Sequence, residues 1–218
     1  MSSAADHTVF DVAIVGLGPV GCLGAILCAE AGLNVVAIEK KADVYNLPRA
    51  VNLDGEIIRA LQPLGLATAV KQMMQPLREG ERAGFANAKR EWLFGGSARA
   101  YGSNGWQPAN MFDQPELETY LRNTAQSHPN VTAYIGYEMT EFSSDPKQVA
   151  IQALGDEGEI TLAARYLFAC EGANSAVRKA LGIGWRDLGY DQDWLVVDVE
   201  MIKTHTLPNE VLQVCDPD

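Results

Sequence analysis

Histidine is scarce in this chain, three residues in 218, and His7, His128 and His205 belong to no recognisable catalytic or metal-binding constellation. They are expected on the surface, and no metal site is expected. Cysteine is nearly as thin. Cys22, Cys28, Cys170 and Cys215 lie far apart or inside apolar segments, which excludes the clustered spacing of a zinc site or a small disulfide scaffold and implies reduced, buried thiols. Basic residues are outnumbered, 17 Lys and Arg against 28 Asp and Glu, for a net charge of -11. That balance argues against nucleic acid or an anionic membrane surface as a partner. No apolar run reaches membrane-spanning length, and "MSSAADHTVF" lacks the basic start and long apolar stretch of a targeting segment, so a soluble cytoplasmic protein is expected. Repeats and low-complexity linkers are absent too. What the chain does have is 47% hydrophobic residues, enough for a substantial core in one large or two small domains.

The apolar residues fall into a readable order. Val9 to Val15 reads as a strand, Pro19 to Ala31 as a helix rich in Ala, Leu and Ile, and Asn34 to Glu39 as a second strand. Strands apolar on both faces around a helix imply an α/β fold with a parallel sheet. "VNLDGEIIRALQPLG" predicts another helix, stopped at Gly65. "RAGFANAKREWLF" predicts two strands about a polar turn, and a glycine-rich irregular connection follows. Pro115 opens a helix in "DQPELETYLRNTAQ", where Leu117, Tyr120 and Leu121 share a face. "VTAYIGYEMTEF", "QVAIQAL" and "EITLAARYLFA" read as strands, the last two joined through a hairpin at "GDEG", and "WLVVDVEMI" predicts a further strand.

Between the first strand and helix lies "VGLGPVG", with Gly16, Gly18 and Gly21 in G-x-G-x-x-G spacing. Gly16 permits a tight turn, Gly18 admits a pyrophosphate close to the backbone, and Gly21 lets the helix pack tightly on the strand. The helix N-terminus adds unpaired N–H groups and the positive end of its dipole. Glu39 closes the second strand, where a carboxylate hydrogen-bonds ribose hydroxyls and repels a 2'-phosphate. The pattern specifies a dinucleotide; FAD and NAD satisfy it equally.

Three separated stretches carry a resemblance to a known family: "VAIVGLGPVG" with Glu39, "LPRAVNLDGEIIRALQPLGL", and "ACEGANSAVRKALGI". In these, and in "WLVVDVE" with "QVCDPD", the chain resembles the aromatic-ring FAD-dependent monooxygenases, the single-component flavoprotein hydroxylases, and within them the group acting on 3-(3-hydroxyphenyl)propionate. The resemblance implies a Rossmann-like FAD-binding domain with a parallel sheet and a β-meander, interleaved with part of a β-rich substrate domain. It assigns 1–76 and 108–184 to the first and 77–107 and 185–218 to the second. It implies non-covalent FAD on Gly16, Gly18, Pro19 and Gly21, with Glu39 and Lys40 at the adenosine ribose. Arg49 would lie beside the flavin, and Gln114 at the ribityl and phosphate region. Glu171 and Gly172 match an Asp-Gly pair near the pyrophosphate, here with glutamate in place of aspartate, and Arg178 would orient that acid or a phosphate.

The activity so implied is hydroxylation of a phenolic substrate such as a hydroxyphenylpropionate-like acid, with NADH or NADPH as transient co-substrate and O2 as oxidant, by way of a flavin hydroperoxide. No residue is identified as a catalytic acid or base. Members of the group continue for several hundred residues, including a Gly-Asp motif for the flavin, so the chain is expected to be an N-terminal portion. An NAD-dependent dehydrogenase or a non-enzymatic dinucleotide-binding module are the competing readings, and homo-oligomerisation stays open.

Overall fold

The computed structural model describes residues 9–47, 50–77, 79–99, 101–193, 195, 197, 199, 202–203 and 211–216. Arg49, His7 and His205 lie outside that set, as do alternate residues of the expected "WLVVDVEMI" strand.

The chain opens with β1 (Val9–Val15), α1 (Pro19–Glu30) and β2 (Val35–Glu39), the expected β-α-β unit. Val12 to Val15 of β1 and Val35 to Ile38 of β2 are wholly apolar because both faces of the sheet are covered there. Val12, Ile14, Val35 and Ala37 pack toward α1, while Ala13, Val15, Val36 and Ile38 enter a second core on the opposite face. Each fully buried valine or isoleucine among them contributes about 1.5–3 kcal/mol.

Short elements follow: β3 (Asn52–Leu53), α2 (Gly55–Leu61), α3 (Ala67–Gln72) and β4 (Met74–Pro76). The single helix read from "VNLDGEIIRALQPLG" is α2, which Asp54 caps by accepting from the Ile57 N–H at 3.1 Å. α3 was not anticipated; its six residues are too few for a helical period to stand out. The expected hairpin is β5 (Arg82–Asn87) with β6 (Trp92–Ser97), turning at Arg90 in the left-handed region, and β7 (Asn110–Phe112) leads into α4 (Gln114–Ser127).

β8 (Val131–Ile135), β9 (Glu138–Ser144), β10 (Val149–Gly155) and β11 (Gly158–Ala169) come next, then α5 (Ala176–Ala180) and β12 (Val211–Cys215). "VTAYIGYEMTEF" is therefore two strands. Gly136, at φ +81°, breaks the run, and the two halves join different neighbours. The sheet order is β8-β2-β1-β11-β10-β9. β11 belongs to both parts: residues 163–169 pair parallel with β1, and residues 158–164 pair antiparallel with β10. Its first half thereby carries Leu162 and Ala164, with Ile151 and Ala153 of β10, onto the second face of β1 and β2. The meander is the lid of that core; α1 and α4 cover the other side. Two smaller sheets, β12-β5-β6 and β3-β7-β4, complete the described fold.

The described thiols are all free, but Cys215 is exposed, because it ends β12 at the edge of a small sheet; only Cys22 is fully buried. His128 is also less superficial than expected. It terminates α4 and its Nδ1 accepts from the Asn130 N–H at 3.1 Å. Among the described residues no helix is long and apolar enough to cross a membrane, and no cluster of His, Cys, Asp or Glu could hold a metal ion.

Candidate functional site

The C-terminal ends of β1, β2 and β11 meet at the glycine loop. Gly16 takes φ +96°, and its N–H donates to the Ile38 carbonyl at 2.8 Å, which ties the loop to β2. A Cβ at Gly16 would stand 2.5 Å from the Cys170 carbonyl oxygen, and one at Gly21 would run into the Gly16 carbonyl oxygen. These two glycines are demanded by the chain's own packing. Gly18 is different: its φ is -73°, open to any residue, and a Cβ there would meet nothing within 4 Å. Nothing within the described chain requires a glycine at that point.

Gly18 is the N-cap of α1, and Pro19 fills its first turn. α2, α4 and α5 carry side-chain caps from Asp54, Asp113 and Ser175, whereas α1 has neither a capping side chain nor an acid in its first turn. A twelve-residue helix thus presents its positive end, uncapped, beside an open backbone at Gly18. The arrangement fits a pyrophosphate.

Between Gly16 and Gly18, Leu17 is fully buried and held from several sides. Its N–H donates to Glu39 Oε2 at 2.7 Å; its carbonyl accepts from Arg122 Nη2 at 3.2 Å and from the Cys22 thiol at 3.1 Å. Burial pushes the Cys22 thiol up to about 12, so the sulfur stays protonated and keeps donating. Glu39 Oε1 accepts from the Lys41 N–H at 2.8 Å, which leaves lone pairs on both oxygens for further donors such as ribose hydroxyls. Arg122 and Glu118 are both buried and pair at 3.3 Å on α4. The sequence reading missed them, because charged residues one helical turn apart pass for a solvated face. The available signal was the Glu118, Arg122, Ala125 stripe, flanked by Leu117 and Leu121.

Lys40 turns away from Glu39 and pairs with Glu138 on β9 at 3.3 Å, both side chains well exposed. Exposed pairs of this kind contribute little to stability. Beside them opens a groove of about 480 Å³, lined by Lys40, Lys41, Gly136, Glu138, Leu154, Gly155 and Asp156. Gln114 sits at the first turn of α4, and its Oε1 accepts from the Ala50 N–H at 2.9 Å, fixing the segment that follows Arg49.

Glu171 and Gly172 follow β11 on the same rim. Glu171 turns its carboxylate onto the start of α5: Oε2 accepts from Ser175 Oγ at 2.5 Å and the Val177 N–H at 3.1 Å, Oε1 from the Ala176 N–H at 2.9 Å. Ser175 Oγ in turn accepts from the Arg178 N–H, and Gly172 makes the left-handed turn between them at φ +78°. Arg178 donates from Nη1 to the Ile183 carbonyl at 3.1 Å and stacks on Trp185. The acid therefore organises α5 first. Glu171→Ala should lower stability by about 1–2 kcal/mol, the usual effect of losing a helix cap. Thermal unfolding measures it, and faster amide exchange at Ala176 and Val177 would locate it; an unchanged melting temperature would show that the cap contributes nothing.

Fold, glycine loop and strand-end acid together define a dinucleotide-binding domain. The chain belongs to the FAD binding domain family, whose pattern matches residues 9–213. It is 34% identical over 216 residues to a "probable NADH-specific resorcinol 4-hydroxylase" of Rhodococcus jostii, covering 98% of this chain and 40% of that protein. With a 3-(3-hydroxy-phenyl)propionate/3-hydroxycinnamic acid hydroxylase of Klebsiella pneumoniae it shares 31% over 215 residues, covering 98% of this chain and 38% of the relative. The chain spans about two fifths of the length of these relatives. Among solved structures, p-nitrophenol 4-monooxygenase of Pseudomonas putida superposes with a TM-score of 0.71 at 25% identity, over 81% of this chain and 44% of that one. The flavin-dependent monooxygenase PieE, solved with FAD and substrate, reaches the same score at 21% identity over 83% of this chain and 33% of its own, a likeness of fold.

Proposed function

We propose that these residues form the FAD-binding part, and the beginning of the substrate-facing part, of a hydroxylase that consumes NAD(P)H and O2 and acts on a phenolic ring. The observation that carries the reading is the open space at Gly18, a glycine its own chain does not require, set at the uncapped start of α1 with Glu39 close by. Relatives named for resorcinol and hydroxyphenylpropionate hydroxylation support the substrate class, and the name of one of them points to NADH.

In this reading the bound flavin supplies the electron transfer and oxygen activation that no side chain here could provide. One atom of O2 enters the ring and the other leaves as water. The chain's residues bind and orient. Gly16, Gly18, Pro19 and Gly21 receive the pyrophosphate; Glu39 accepts from the adenosine ribose, and Lys40 borders it. Gln114 holds the segment after Arg49, whose guanidinium is assigned to the flavin. Glu171, Gly172 and Arg178 set the rim beside the pyrophosphate through α5. The FAD domain comprises 1–76 and 108–184, and the substrate-facing part 77–107 and 185–218.

The test is purification of the full-length protein, followed by its visible spectrum and its NADH and NADPH oxidation with resorcinol and 3-(3-hydroxyphenyl)propionate. A flavin spectrum, phenol-stimulated NADH oxidation and a hydroxylated product are expected. Bound FAD with no phenol-dependent turnover would favour a binding module, and a colourless protein that reduces NAD would favour a dehydrogenase.

A further inference from the structure

Leu17 and Lys41 are held by the same two side chains. Each donates its N–H to the Glu39 carboxylate, at 2.7 and 2.8 Å, and each accepts at its carbonyl from the Arg122 guanidinium, at 3.2 and 3.3 Å. The four residues close a ring of hydrogen bonds with a carboxylate on one side and a guanidinium on the other. Arg122 extends it to the Ala42 carbonyl at 3.4 Å, and Glu118 holds the guanidinium from one turn earlier on α4. Leu17 stands in the glycine loop between Gly16 and Gly18; Lys41 stands two residues past the strand-end acid. The ring therefore ties the two segments that would receive the pyrophosphate and the adenosine ribose.

We infer that Arg122 is a positioning residue for dinucleotide binding, fixing the spacing between the glycine loop and the segment after β2 before any ligand arrives. This rests on the FAD reading above. Arginine suits the task because its planar fork reaches several carbonyl oxygens at once, which a lysine ammonium on a single flexible stem does not. Burial adds to the effect: Arg122 and Glu118 side chains are only 7% and 8% exposed, and the bond to the Leu17 carbonyl is buried, so water cannot replace it, whereas those to Lys41 and Ala42 are half-buried. A ligand that bridges both segments binds only the fraction of molecules in which they are correctly spaced, and its apparent dissociation constant rises as that fraction falls.

Arg122→Met and Arg122→Lys in the full-length protein, stripped of flavin, test the inference with three readouts: dissociation constants for FAD and for ADP, melting temperature, and amide exchange at Leu17 and Lys41. ADP carries the adenosine and pyrophosphate without the flavin. If the clamp sets the spacing, Arg122→Met raises both dissociation constants together by about 10- to 100-fold, as a competent fraction of roughly 1–10% would. Exchange at Leu17 and Lys41 speeds up in the unloaded protein. Arg122→Lys keeps the charge beside Glu118 and should restore the melting temperature while binding both ligands about fivefold or more weakly, since it loses the fork; it carries the test alone if the methionine variant does not fold. Wild-type affinity in Arg122→Lys with unchanged exchange would overturn the inference, as would a fall in melting temperature with both dissociation constants unmoved. Should wild-type protein bind neither FAD nor ADP, the FAD reading fails by itself, and exchange at Leu17 and Lys41 still decides whether Arg122 sets the loop.

Discussion

Gly18→Ala should leave the protein folded and remove most of its affinity for FAD. The two effects separate because of where the new methyl group goes. Backbone at φ -73° accepts alanine without strain, and a Cβ there meets no described atom within 4 Å. On stability two small terms oppose each other: alanine lowers the entropy of the unfolded chain, worth about 0.4–1 kcal/mol. Against that, alanine caps a helix less well than glycine, by up to about 1 kcal/mol. The melting temperature should stay within a few degrees of wild type. Toward the ligand there is no such cancellation. The methyl group occupies the space through which a pyrophosphate reaches the N–H groups of α1, and overpacking at a close contact costs about 1–3 kcal/mol before any lost hydrogen bond is counted. Losing one charge-assisted bond brings the total to roughly 3–5 kcal/mol, about 100-fold or more in affinity. Titration of the flavin-free protein with FAD, beside a thermal melt, measures both. Wild-type affinity in a folded Gly18→Ala protein would mean that the pyrophosphate does not pass Gly18.

The glycine loop was legible in the sequence because its glycines are neighbours in the chain at a fixed spacing, whether the chain's own packing requires them, as at Gly16 and Gly21, or not, as at Gly18. The β-α-β unit was legible for a related reason: both faces of the sheet are covered at Val12 to Val15 and Val35 to Ile38, so these stretches read as short apolar runs. What covers the second face was not. Strand character in "VTAYIGYEMTEF" is continuous across Gly136, and only the tertiary structure shows that β8 pairs with β2 while β9 pairs with β10. The charged clamp was hidden for a different reason. Arg122 lies 105 residues from Leu17 and 81 from Lys41, and it binds their backbones, which leave no trace in residue identity. Glu171 falls between these cases. Its placement at a strand end was plain, but the use of its carboxylate depended on how sharply Gly172 turns the chain back onto α5.

Glu39→Ala should differ from Gly18→Ala by damaging the fold and the affinity together. Glu39 is 9% exposed, and its two oxygens accept backbone N–H groups from Leu17 and Lys41. Alanine leaves the Leu17 N–H unpaired in a buried place and that of Lys41 in a half-buried one, and removes the negative side of the ring that Arg122 completes. Charge-assisted bonds are worth about 1.5–3 kcal/mol each, and partial rescue by water at Lys41 sets the expected loss near 2–4 kcal/mol. FAD affinity should fall by about 10- to 150-fold from the lost ribose contact, with the loosened loop adding to it. Glu39→Gln separates the contributions. An amide offers one oxygen and one NH2 group, so it can satisfy Leu17 or Lys41 but sets an N–H against the other. Its stability should lie between wild type and alanine, while its ribose contact weakens with the loss of charge. Urea unfolding of the flavin-free full-length protein gives the first quantity and calorimetric titration with FAD the second. If both variants lose stability in that order yet bind FAD as wild type does, Glu39 serves only to brace the loop, and the ribose hydroxyls find their acceptor elsewhere along the groove beside Lys40.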